Sequence, residues 1–207
     1  DFIIADAKDG DMSNPIPGTG PIRNPDGSVA RFRTRAEFLD QMTQIIRQDL
    51  LDIMLTSASN LELLHEAKAY AGSAVKPAFR ANDTTDIWGA RGGSYGKSAS
   101  RPFRTADLAQ VAKAKLTDLG LYSITFVNDV EADLRSLEAF KAFRADAAAN
   151  GIKYFLEVFN PNIDAKVAPA DLGSFVNDNL ARCLSGVLKS DRPEFLKYPY
   201  NGPKALE

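Results

Sequence analysis

At 207 residues, with 44% hydrophobic and 25% charged side chains, the chain has an ordinary globular composition and enough apolar residues for a sizeable core. Its 25 basic and 27 acidic residues leave a formal net charge of -2, which excludes the broad basic surface that nucleic acid or an anionic membrane would require. A single cysteine, Cys183, rules out an internal disulfide, and no apolar run approaches the roughly 20 residues of a membrane span, so a cytoplasmic protein is expected.

Short runs of apolar and β-branched residues alternate with stretches of helical period, the pattern of βα units around a parallel sheet. The first strand is expected over Phe2–Ala7. In the long connection Gly10–Arg33, Asn14-Pro, Pro17-Gly, Gly20-Pro and Asn24-Pro-Asp-Gly27 place several turns in succession, predicting a segment folded back over the strand ends. Thr34-Arg-Ala-Glu37 reads as a capping box opening a helix whose inward face is Phe38, Met42, Ile45 and Ile46. A strand at Asp52–Thr56 leads to a second box, Ser59-Asn-Leu-Glu62, and a helix over Leu61–Tyr70. The third strand, Val75–Ala81, is followed by a Gly- and Ser-rich connection, Trp88–Arg104, of the kind that closes over substrate. Then come a helix over Thr105–Leu119, a strand over Tyr122–Asn128, a helix over Asp133–Asn150 stopped by Gly151, and a strand over Lys153–Phe159. A helix over Pro169–Leu188, with Pro in its first turn, and a strand over Glu194–Tyr198 complete the series. The expectation is one α/β domain over residues 1–207 with about six βα units, both ends reading as cut.

If such units close into a barrel, chemistry belongs at the C-terminal ends of the strands, where polar residues recur in this sequence: Asp6, Ser57, Arg80, Asn128, Glu157 and Lys197. A lysine inside an apolar strand either snorkels to water or occupies a drier cavity suited to Schiff-base formation. Strand alternation puts Glu157 at the mouth and Lys153 about 13 Å away at the floor, so Glu157 is the acid–base partner expected beside Lys197. Asp6 is expected across the mouth, orienting a substrate hydroxyl or holding the lysine, and Arg80 is a candidate carboxylate or phosphate clamp. Each residue also has a structural reading: an ion-paired Lys197, caps at Asp6 and Glu157, and an Arg80 that neutralises Asp83. His65 reads as a solvent-side helix residue and Cys183 as core. The stretch Gly92-Gly-Ser-Tyr-Gly96-Lys97-Ser98 imitates a phosphate-binding loop, but Arg91 stands where that pattern requires Gly and Arg101-Pro102 follows it, so nucleotide binding is not expected. No Cys/His/Glu cluster has metal-ligand spacing, and Asp9 and Asp11 beside Asp6 are the nearest approach to a cation site.

The ordered series resembles, over nearly the whole chain, the class I (Schiff-base) aldolases of the TIM (β/α)8-barrel type, the superfamily of tagatose-bisphosphate, deoxyribose-phosphate and archaeal-type fructose-bisphosphate aldolases. Phe195-Leu-Lys197-Tyr-Pro-Tyr-Asn-Gly202 resembles the context of that superfamily's sixth-strand lysine, Leu156-Glu157-Val158 its fifth-strand acid, and Asp6 its first-strand aspartate. The resemblance implies Lys197 as nucleophile, Glu157 as proton shuttle, Asp6 as an orienting group, and Tyr200 as a second proton donor, with Ser57, Arg80 and Asn128 toward substrate. It implies no cofactor and no metal, a ketose-like sugar or sugar-phosphate substrate, and leaves homo-oligomerisation open. Tyr122-Ser-Ile-Thr-Phe-Val-Asn128 lacks the fourth-strand lysine of the tagatose-bisphosphate enzymes, and the seventh and eighth strands, which form the family's phosphate site, are not seen, so a barrel truncated after its sixth strand is expected. Two alternatives stand beside it: a metal-assisted barrel lyase or isomerase using Asp6 and Glu157, and a non-catalytic sugar-binding barrel.

Overall fold

The structure, a computed structural model, describes residues 3–13, 16–83 and 92–206. Strand β1 (Ala5–Lys8) leads into a single helical turn, α1 (Gly10–Ser13). The turn-rich connection does fold back on itself: β2 (Pro21–Arg23) pairs antiparallel with β3 (Val29–Phe32). The turn between them places Gly27 at φ 84°, where a side chain would be strained.

Helix α2 (Arg35–Arg47) starts at the expected capping box, with Thr34 accepting from the Glu37 N–H and Glu37 accepting from the Thr34 N–H. The second box is not formed. Strand β4 (Ile53–Ser57) runs straight into α3 (Ala58–Glu66), so Ser57 takes the N-cap position and Ser59 sits inside the helix, its hydroxyl accepting from Arg35 at 2.9 Å.

After β5 (Lys76–Arg80), the two-residue strand β6 (Asn82–Asp83) pairs antiparallel with β7 (Phe103–Arg104), a small hairpin the sequence did not announce. Phe2, Thr84, Thr85, Trp88 and Arg91 lie outside the described residues. Helix α4 (Leu108–Lys113) is shorter than expected, because Lys115 at φ 54° breaks the helical run and β8 (Leu119–Thr125) begins at Leu119 rather than Tyr122. Helix α5 (Val130–Ala149) begins ahead of the expected Asp133, since Asp129 caps it by accepting from the Ala132 N–H at 2.9 Å. Strand β9 (Lys153–Phe159) has the expected bounds, and α6 (Leu172–Leu184) follows a 3-10 turn at Pro169–Asp171. Strand β10 (Phe195–Lys197) precedes a 3-10 turn over Pro203–Leu206, which packs on α6 where Gly173 leaves room for Ala205.

The six longer-range strands form one parallel sheet in the order β1-β4-β5-β8-β9-β10, curled into a half-barrel. Every parallel pair needs a crossover, and the helices serve as these, covering the outer face. Alternation then sorts the strand residues. Met54, Phe79, Tyr122, Ile124, Leu156 and Val158 point outward into the helices, whereas Ile53, Leu55, Ala78, Leu119, Leu121, Phe155 and Phe195 pack together on the concave face. The outer core is densest where Tyr122 stacks on Phe143 with centroids 4.4 Å apart and Tyr154 meets Phe143 edge-on, fixing α5 to β8 and β9. Cys183 is buried in this layer, as expected, and burial pushes its thiol up to about 12. His65 is not a solvent-side residue: it is half-buried with its ring 5.4 Å from that of Tyr70. No helix among the described residues is long and apolar enough to cross a membrane.

Candidate active site

Register arranges the concave face in rows. Lowest, Leu55 is opposite Ala78; one step higher, Ser57, Arg80, Leu121, Phe155 and Phe195 lie side by side on β4, β5, β8, β9 and β10. Above Leu121, Phe155 and Phe195, Ser123, Glu157 and Lys197 occupy one register level on the same three strands. The period of two that makes Phe155 and Phe195 concave also makes Glu157 and Lys197 concave, so two adjacent strands bring the amine and the carboxylate together with no loop involved.

The contact is direct. Lys197 Nζ lies 2.5 Å from Glu157 Oε1, with the lysine side chain 52% exposed and the glutamate 5%. The other carboxylate oxygen, Glu157 Oε2, accepts from Ser123 Oγ at 2.8 Å. The fully buried Asn82 then grips the backbone of Ser123 from both sides, its Nδ2 donating to the Ser123 carbonyl at 2.9 Å and its Oδ1 accepting from the Ser123 N–H at 2.7 Å. Below Lys197, a cavity of about 370 Å³ is lined by Ala5, Ala7, Leu55, Leu121, Phe155 and Phe195, among others. Lys153 is at the floor, as the spacing required, bound to Glu194 at 2.9 Å.

A second polar group occupies the opposite end of the mouth. Arg80 Nη1 donates to Asp9 Oδ2 at 2.9 Å, the arginine buried and the aspartate partly so, and its Nε donates to the Asn82 carbonyl. The guanidinium lies 5.9 Å from the centroid of the Phe159 ring, reaching toward the C-terminal end of β9. Asp9 is thus a partner of Arg80, while the side chain of Asp83 lies outside the described residues. Ser57 donates to Asp11 Oδ2 at 2.8 Å, and Asn60 donates to the same oxygen at 3.0 Å. Burial raises the Asp11 carboxyl above the usual carboxylate range, opposed chiefly by the Ser57 hydrogen bond.

The structure corrects the placement of Asp6. It pairs in register with Met54, whose side chain packs outward against α2 and α3, so Asp6 belongs to the helix-covered side of the sheet and binds Lys8 at 2.6 Å. The first-strand carboxylate that reaches the mouth is Asp9, one residue past the strand end. Register thus turns the Asp6 side chain away from Glu157, although Asp6 also borders the cavity below Lys197. Asn128 is exposed at φ 60°, its Nδ2 donating to the Ala165 carbonyl at 2.9 Å, a contact that shapes the turn into α5. Tyr200 is 70% exposed beyond β10. Beside it, Asn201 and Asn160 exchange two amide hydrogen bonds of 2.9 and 3.0 Å, tying the segment after β10 to the end of β9.

One member of this cluster escaped the sequence reading, Ser123, and the role of another, Asn82, was not foreseen. The signal for Ser123 was available, since a polar residue between Tyr122 and Ile124 in a buried strand must face a polar partner or leave a hydroxyl unmatched. Asn82 stands in the polar run Arg80-Ala-Asn82-Asp83 that ends the third strand at the mouth, but nothing in the sequence marked its partner, 41 positions away. Among the described residues no three His, Cys, Asp or Glu side chains are grouped to hold a metal ion. No family's sequence model matches the chain, and no curated protein matches it.

Proposed function

We propose that this chain is the lysine-bearing part of a TIM-type (β/α)8 barrel and acts as a Schiff-base lyase of the aldolase kind on a ketose-like substrate, phosphorylated or not. The observation that carries this reading is the 2.5 Å contact between Lys197, half open to the mouth, and a Glu157 buried and held by Ser123. The parallel order, outward helices and concave apolar face support the barrel, and the unpaired edges of β1 and β10 are where two further strands would close it.

In this mechanism the Lys197 ammonium passes its proton to Glu157 and the neutral amine attacks the substrate carbonyl carbon. Glu157, now a carboxylic acid, protonates the carbinolamine oxygen, and water leaves to give the iminium. The regenerated carboxylate takes the proton of the hydroxyl on the β-carbon, two bonds from the iminium carbon, as the bond between the α- and β-carbons breaks; the β-carbon leaves as an aldehyde and the electron pair enters the iminium to form an enamine. Reprotonation of the enamine and hydrolysis return the free amine. The lysine's neighbour is thus used twice as a base, toward the ammonium and the substrate hydroxyl, and once as an acid, toward the carbinolamine.

Borohydride reduction in the presence of dihydroxyacetone, dihydroxyacetone phosphate and pyruvate tests this on the full-length protein. The expected result is a substrate-dependent mass increase on the peptide containing Lys197, lost in Lys197→Met. Absence of any adduct with a panel of two- to six-carbon carbonyl compounds, on protein shown folded by circular dichroism, would overturn it.

A further inference from the structure

We propose that Ser123 and Asn82 are positioning residues that aim the Glu157 carboxylate at the Lys197 amine, an inference that rests on the Schiff-base reading above. Strand β5 pairs with β8 only through Phe79 with Gly120 and Arg80 with Leu121, so the β8 backbone at Ser123 has lost its strand neighbour on that side. Asn82 takes the neighbour's place. Its side-chain amide supplies one donor to the Ser123 carbonyl and one acceptor to the Ser123 N–H, copying the two bonds of a strand ladder. Among side chains, only an amide offers both at that reach, and Asn82 is fully buried.

The consequence lies one bond further on. A hydroxyl has one proton, and the proton of the fully buried Ser123 goes to Glu157 Oε2. With Oε2 engaged, the carboxylate plane is set, and Oε1 is the oxygen presented to Lys197. Register supports the same conclusion, because Ser123, Glu157 and Lys197 share one level on β8, β9 and β10, and Asn82 closes that level on the β5 side. The chain of contacts is therefore Asn82 to Ser123 backbone, Ser123 hydroxyl to Glu157, and Glu157 to lysine, without a flexible loop at any step. A carboxylate that must transfer a proton in both directions gains from a fixed orientation, since small displacements of a reacting group cost as much as about 100-fold in rate.

The test compares Ser123→Thr with Ser123→Val, two side chains of nearly the same shape that differ in the hydroxyl. Each is measured for the rate of borohydride-dependent adduct formation at Lys197, for kcat and KM with the best carbonyl substrate of the panel, and for thermal unfolding midpoint. Expected is an adduct rate and kcat lower by about 10- to 100-fold in Ser123→Val with KM within about twofold, and recovery to within about threefold of wild type in Ser123→Thr. Asn82→Asp, which removes the donor to the Ser123 carbonyl, should slow adduct formation like Ser123→Val. If Ser123→Val forms the adduct at the wild-type rate, the positioning role is overturned while the lysine reading stands. Equal loss in Thr and Val variants, following their unfolding midpoints, also overturns it, because packing would then explain both. Absence of an adduct in the wild type overturns both readings together.

Discussion

Tyr122 shows at the residue level how an aromatic side chain can be placed for its ring and not for its hydroxyl. It is fully buried between Phe140 and Phe143, and among the described residues no group pairs with its hydroxyl oxygen. Burial alone pushes the phenol well above its usual range, against slight help from Arg104. An unmatched buried hydroxyl costs about 1–3 kcal/mol in desolvation, while the ring contacts survive its removal. Tyr122→Phe should therefore leave stability unchanged or raise it by up to about 1 kcal/mol, read as the urea midpoint at constant slope. A loss above about 2 kcal/mol would show that the hydroxyl has a partner in solution. The contrast with Ser123, on the next position of the same strand, is instructive: there the ring-free hydroxyl faces the mouth and its one proton is fully used.

At the level of elements, the start of α2 is the most complete local device. Glu37 accepts from both terminal nitrogens of Arg31 at 2.6 and 2.7 Å and from the Thr34 N–H at 2.8 Å, joining the β2–β3 hairpin to the helix. Arg31 first, and the capping N–H second, hold the Glu37 carboxyl down at about 2 against an ordinary 4.5. A carboxyl lowered on folding contributes stability that is whole above its unfolded value and is lost as pH falls through the folded one. Glu37→Gln should thus lower the unfolding midpoint at pH 7, and the gap to wild type should close between about pH 4.5 and 2. A gap that stays constant down to pH 2 would place the effect in packing. Asp11 contributes with the opposite sign: its carboxyl is raised on folding, so the stability it favours is present at low pH and is lost as pH rises through the raised value.

On the scale of the whole molecule, the largely buried Arg80–Asp9 pair ties the end of β1 to the end of β5 across 71 positions. Removing Arg80 takes this partner from a largely buried Asp9 carboxylate, and losses of this kind run to about 3–5 kcal/mol, whereas replacing both with apolar groups of similar volume is often close to neutral. Arg80→Met should destabilise by up to about that amount, and adding Asp9→Leu to it should recover part of the loss. Additive losses in a double-mutant cycle, followed by urea unfolding, would mean that the pair is not formed. This pair also closes off the half of the mouth opposite Lys197, so the site is bounded by charge pairs at both ends and by Phe155, Phe195 and Leu121 beneath.

Local chemistry already spelled out the βα alternation, the Thr34 capping box and the Asn24–Gly27 turn, because each depends on residues within a few positions of one another. The Lys197–Glu157 contact was legible for a related reason: a period of two assigns both to the mouth once their strands are taken as neighbours. Which face Asp6 occupies was not, since one step of register exchanges the two sides of a strand, and the packing of Met54 against α2 and α3 sets that step. The replacement of a strand neighbour by the Asn82 amide and the contact of Arg80 with Asp9 come from groups dozens of positions apart. Those contacts exist only once the sheet has curled, which is why alternation could mark the strands but not assign the partners of their polar residues.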